Sequence, residues 1–152
     1  MEQLTRPANI DLTAAPGHLI RRAQQQHQNR WSELVGGGLT SVQFAVLALL
    51  TQRPGIDQRT LAASLSIDTS TLADVCLRLA GRRLLQRARS DDDGRRYVLR
   101  VTPAGEEVLH RTIPTVDAVG DALLAPLNAA ERATLMRLLR RVIGIADGER
   151  PG

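Results

Sequence analysis

The chain has 152 residues, 43% hydrophobic and 24% charged, which fits one folded domain with its own core and excludes wholesale disorder. A single cysteine, Cys76, excludes a disulfide framework and a cysteine-based zinc site, and no apolar run approaches the roughly 18 residues of a membrane span. All 20 basic residues are arginine and the formal net charge is +4.

That charge is concentrated. Residues 78–100 hold eight arginines against three aspartates, while the remaining twelve arginines face thirteen acids. One short basic segment on a near-neutral body is the footprint of a polyanion binder. Met1 to Ala15 lack the basic-then-apolar order of an export signal, so the expectation is a soluble, cytoplasmic protein.

Residues 1–15 show no periodicity and read as an N-terminal arm. A helix is predicted from Pro16, a residue favoured at the first helical position. Its apolar stripe is Ile20, Ala23, His27, Trp31 and Leu34, and Gly36-Gly37-Gly38 ends it. Thr40 and Gln43 have capping-box spacing. The helix they open, to about Gln52, is apolar nearly all round and therefore central. Pro54-Gly55 breaks it.

Asp57 can cap a short helix carrying Leu61, Ala62 and Leu65. After a tight turn at Ser66-Ile67, Asp68 can cap a second, at about 69–82, with Leu72, Val75 and Leu79 inward. Two such helices suggest a helix-turn-helix. LLQRARS and RRYVLRV then read as strands, with Tyr97, Leu99 and Val101 alternating with Arg96 and Arg100. Asp93-Gly94 between them is a strong hairpin signal. Helix, helix and an Arg-rich hairpin make a winged helix-turn-helix. Thr102-Pro103 opens a further helix to about Leu124, with Pro114 bending it. Asn128 and Glu131 cap a last amphipathic helix containing LMRLLRRVIGI. The fold class is mainly α with a small β-hairpin wing.

LTSVQFAVLALL, QRTLAASLSIDTSTLADVCLRLAGRRLLQR and DGRRYVLRVTPAG together resemble the MarR family of transcriptional regulators. The most specific part is Asp93-x-Arg95 followed by Leu99-x-Val101-Thr102-x-x-Gly105. The opening PGHLIRRAQ resembles a branch that often controls breakdown of aromatic acids. The resemblance implies a homodimer joined by the first and the last two helices, bound to a palindromic operator and released by a small ligand. It divides the chain into an arm at 1–15, a helical dimerisation region at 16–36 and 103–145, and a winged helix-turn-helix DNA-binding domain at 40–102. One departure stands out. Family members often carry a basic residue in mid-recognition helix, where this chain has Ala73-Asp74. An acid there cannot grip phosphate, though it can accept from cytosine N4.

The candidate DNA-binding residues are Thr69, Ser70, Thr71, Ala73, Asp74, Leu77 and Arg78 on the recognition helix, with Asp93, Arg95 and Arg96 on the wing. Small hydroxyl residues at a helix start suit phosphate oxygens and base edges. Arg95 can enter a narrow minor groove, with Asp93 holding its rotamer. The candidate ligand-binding residues are His18, Arg21, Arg22, His27 and Trp31. Arg22 lies one turn beyond His18, so the two can share a face. Arginine and histidine beside an indole suit a small aromatic carboxylate. Cys76 reads as a buried structural thiol. No nucleophile, base and oxyanion arrangement is recognisable, so the chain is expected not to be an enzyme and to need no cofactor or metal. The rival function is a sequence-tolerant architectural or nucleoid DNA binder, favoured by the strongly basic wing and opposed by the near-neutral remainder.

Overall fold

In the computed structural model, residues 11–90, 92 and 97–145 are described. Asp11 accepts from the Thr13 amide and caps a 3-10 turn at Leu12–Ala14. Within the segment expected as an arm, residues 11–15 hold this capped turn; residues 1–10 lie outside the described set. Helix α1, Pro16–Leu34, follows with proline in its first turn.

Helix α2, Ser41–Gln52, opens with the expected capping box: Thr40 Oγ1 accepts from the Gln43 amide at 3.1 Å, and Gln43 Oε1 from the Thr40 amide at 3.0 Å. Val46, Leu47 and Leu50 are fully buried, as a helix apolar on all sides requires. Helices α3, Gln58–Ser64, and α4, Thr69–Gly81, are capped by Asp57 and Asp68. Their hydrophobic faces, Leu61 and Ala62 with Leu72, Cys76 and Leu79, close on α2 in one core. Val75 is only half-buried at its edge.

Strands β1, Leu85–Arg89, and β2, Tyr97–Val101, pair antiparallel with Leu85 opposite Val101 and Ala88 opposite Val98. The expected alternation holds only in part. Leu85 and Leu99 join the core, but Val98 on the other face is buried as well. Its direct partner is the small Ala88, so the second face of the ribbon is not fully solvated.

Helix α5, Pro103–Leu123, runs through Pro114 and packs along α1 and against α2. Its start is fixed by close contact: Thr102 Oγ1 donates to the Arg83 carbonyl at 2.7 Å and accepts from the Gly105 amide at 3.0 Å. A side chain at Gly105 would collide with the Leu84 carbonyl oxygen. Helix α6, Ala129–Val142, carries the Asn128–Glu131 capping box. Arg132 ties it to α5 through Asp121, 3.0 Å away.

Two helix ends use the left-handed conformation without glycine. Ser66 (φ 53°) ends α3 and Arg83 (φ 58°) ends α4. In each case the next amide reaches back five residues, Ile67 to Ala62 and Leu84 to Leu79, the hydrogen-bond pattern of a Schellman cap.

Candidate nucleic-acid interface and effector region

Helix α4 presents one face to the core and one to solvent. At 100° per residue, Leu72 and Leu79 mark the buried stripe, and Ser70, Asp74 and Leu77 lie opposite it. All six of Thr69, Ser70, Thr71, Ala73, Asp74 and Arg78 are exposed, and Leu77 is 72% exposed. Asp74 makes no hydrogen bond or ion pair among the described residues. A shallow cleft of about 350 Å³ runs between α4 and β1, lined by Ala73, Asp74 and Leu77 on one side and Gln86 and Arg87 on the other.

The hydroxyls at the start of α4 are committed to the cap. Ser70 Oγ and Thr71 Oγ1 each donate to the Asp68 carboxylate at 2.6 Å, and the Thr71 amide donates at 2.8 Å. These bonds, Ser70 first and then Thr71, hold the Asp68 carboxyl well below the usual carboxylate range. A hydroxyl has one proton to give. With that proton on Asp68, neither Ser70 nor Thr71 can donate to a phosphate, and both keep only acceptor capacity. Ser70 and Thr71 stay candidate DNA-binding residues, offering acceptors in this arrangement. Asp93, Arg95 and Arg96 of the wing lie outside the described residues. The described part of the ribbon carries Arg87, Arg89 and Arg100 on β1 and β2.

The five α1 residues fall into two groups. Arg21 Nη2 and His18 Nδ1 lie 2.9 Å apart. Arg22, expected to share the His18 face, is exposed; the i,i+3 neighbour takes the contact instead of the i,i+4 one. His27 lies about 180° around the helix from His18. It packs on Trp31, with ring centroids 5.9 Å apart, and Trp31 packs on Phe44 of α2 at 5.7 Å. Trp31 is buried and its Nε1 donates to the Leu39 carbonyl at 2.7 Å. His27 Nδ1 is buried with no hydrogen-bond partner among the described residues. A second cleft, of about 380 Å³, lies where α1 ends and α2 begins, with Trp31, Leu39 and Thr40 in its wall.

Arg82 is a contributor that spacing did not reveal. From the end of α4 its Nη1 donates to the Gly38 carbonyl at 3.0 Å and approaches Gln43 Oε1 at 3.4 Å. No sequence periodicity reports a contact across so long a separation. Cys76 is buried as expected, and burial pushes its thiol up to about 11. Among the described residues no cluster of His, Cys, Asp or Glu could hold a metal ion, and no helix is long and apolar enough to cross a membrane.

A family model described as MarR family matches residues 39–97. The transcriptional regulator HosA of Escherichia coli is 34% identical over 126 residues, covering 83% of this chain and 93% of HosA. The chain belongs to the MarR family. This MarR-family chain is also similar to solved structures. Streptomyces coelicolor PcaV, in complex with its natural ligand, is 42% identical with a TM-score of 0.83, over 93% of this chain and 100% of PcaV. Bordetella bronchiseptica BpsR, whose structure concerns regulation of its DNA binding by 6-hydroxynicotinic acid, is 30% identical with a TM-score of 0.77, over 84% of this chain and 97% of BpsR. As a MarR-family member the chain is a DNA-binding transcriptional regulator with a winged helix-turn-helix, and the family is not one of enzymes.

Proposed function

We propose that the protein is a dimeric repressor that binds a palindromic operator and leaves it when a small aromatic carboxylate binds. The observation that carries the ligand part is His27. A buried ring nitrogen without a partner is costly, and here it sits against an indole. An aromatic acid offers a ring to stack and an oxygen to pair with an imidazole or guanidinium. Arg21, held by His18, is a positioned cation on the same helix, on a different face about 120° around from His27. BpsR, with its hydroxynicotinic acid, supports this ligand class.

Dimerisation is supported by what one chain leaves uncovered. Leu19, Ile20 and Leu34 on α1, and Leu138, Leu139, Val142 and Ile143 at the end of the fold, are 40–70% exposed. Two copies about a two-fold axis would cover such faces and set two recognition helices about one turn of DNA apart. For release, the acid must favour an arrangement in which that spacing no longer matches the operator.

The test is a fluorescence-anisotropy titration of the protein on the promoter fragment upstream of its own gene, at fixed salt, followed by a panel of benzoate-like and nicotinate-like acids. Saturable binding resistant to excess random duplex, reversed by one acid, is the expected result. Equal affinity for operator and random duplex would favour the architectural binder instead.

A further inference from the structure

We infer that the operator half-site is read by Asp74 through a cytosine and by Leu77 through a thymine about one base step away, an inference that rests on the operator-binding reading above. The outermost stripe of α4 is Ser70, Asp74 and Leu77. Ser70 has spent its proton on Asp68, Asp74 is a carboxylate, and Leu77 is apolar. The stripe therefore offers two acceptors and a hydrocarbon surface, and no donor.

The major groove decides what such a stripe can meet. Guanine shows two acceptors, N7 and O6, and would confront oxygen with oxygen. Adenine shows a donor at N6 beside an acceptor at N7, a pattern an amide matches and a carboxylate does not. Cytosine shows the N4 donor with no acceptor of its own on that edge, so it is the base a carboxylate fits. Phosphate is excluded as the partner of Asp74 by charge. Leu77 is 72% exposed and has no part in the core, and the one apolar group on the groove floor is the thymine methyl. Asp74 and Leu77 are separated by about 4.5 Å along the helix axis, against a rise of about 3.4 Å per base.

The experiment is selection from a random-sequence duplex library with the full-length parent, Asp74→Asn and Leu77→Ala. Both positions are exposed, and circular dichroism verifies that the variants fold. The parent should enrich half-sites with neighbouring cytosine and thymine columns. Asp74→Asn should turn the cytosine column toward adenine, with about a tenfold change in preference. Leu77→Ala should flatten the thymine column alone. On the selected duplex, replacing that thymine by deoxyuridine removes one methyl and should weaken the parent about fourfold, with no effect on Leu77→Ala. Unchanged columns in both variants overturn the inference and leave operator binding standing. A parent that enriches no sequence removes operator binding and the inference together.

Discussion

Trp31 and Arg82 hold adjacent carbonyls of one loop: the indole donates to Leu39 O at 2.7 Å and the guanidinium to Gly38 O at 3.0 Å. One residue belongs to α1 and the other follows the last turn of α4. The helix that carries the proposed effector residues and the helix proposed to face DNA are therefore tied through a single dipeptide. The two ties differ in strength because they differ in burial. Leu39 and Trp31 are buried, whereas Arg82 is exposed.

Trp31→Phe should keep the ring and orphan the Leu39 carbonyl. An unsatisfied buried acceptor costs about 1–3 kcal/mol, read as a lower urea midpoint at unchanged slope. Arg82→Ala should cost less than about 1 kcal/mol, since water can replace its bond. It should also weaken the leverage of the effector on operator binding. Equal release curves in parent and Arg82→Ala would leave the dipeptide a structural tie only.

Val142→Asp tests the dimer. Val142 is 70% exposed in the single chain, so a charge there leaves the protomer fold intact. Buried against a second copy, it would be an uncompensated charge. Sedimentation velocity should show the parent as a dimer and the variant shifted to monomer at micromolar concentration. An unshifted variant would place the interface elsewhere.

Cys76 gives a pH dependence with a definite sign. Burial raises its thiol from an ordinary 9.0 to about 11. The unfolded chain ionises first as pH rises, so the stabilising contribution is complete below about 9 and is lost on the way to 11. The parent should lose urea stability relative to Cys76→Ala over that window, with a constant difference at lower pH. At neutral pH the thiol is protonated and buried, so peroxide should leave operator binding unchanged in the parent and in Cys76→Ser.

Much of this fold was legible because its helix starts follow local rules. Thr40 with Gln43 and Asn128 with Glu131 are reciprocal caps readable three residues apart. Helix ends were harder. The second short helix reads as about 69–82; α4 ends at Gly81, and the left-handed residue that stops it is Arg83. Tertiary contact selects that register, since Leu84 must turn inward and the Arg83 carbonyl must receive Thr102. Arg83→Gly should accordingly stabilise the fold by about 0.5–1 kcal/mol, by relieving a conformation only glycine adopts freely. Gly105 was visible as a motif position, but its reason, close approach to Leu84, exists only in three dimensions. At the site, residue types were readable and their partners were not. Ser70 looked free until Asp68 claimed its proton, and His18 chose Arg21 over Arg22 by a rotamer that spacing cannot report.

That choice bears on which arginine meets the acid. Both Arg21 and Arg22 could meet a carboxylate, but they begin from different states. Arg21 is oriented by the 2.9 Å contact with His18, so less side-chain entropy is lost when it binds an anion. Arg22 is exposed and would have to be ordered at the moment of binding. If the acid prefers the released arrangement tenfold, the coupling is about 1.4 kcal/mol. Arg21→Ala should remove most of that preference while leaving operator affinity without acid near the parent value. Arg22→Ala should move the release curve less, and His18→Ala should fall between the two because it loosens Arg21 without removing it. The measurement is the acid concentration giving half-release from operator in each of the four proteins. A larger shift in Arg22→Ala than in Arg21→Ala would assign the carboxylate to Arg22. Four coincident curves would move the cation of the effector site off α1 altogether.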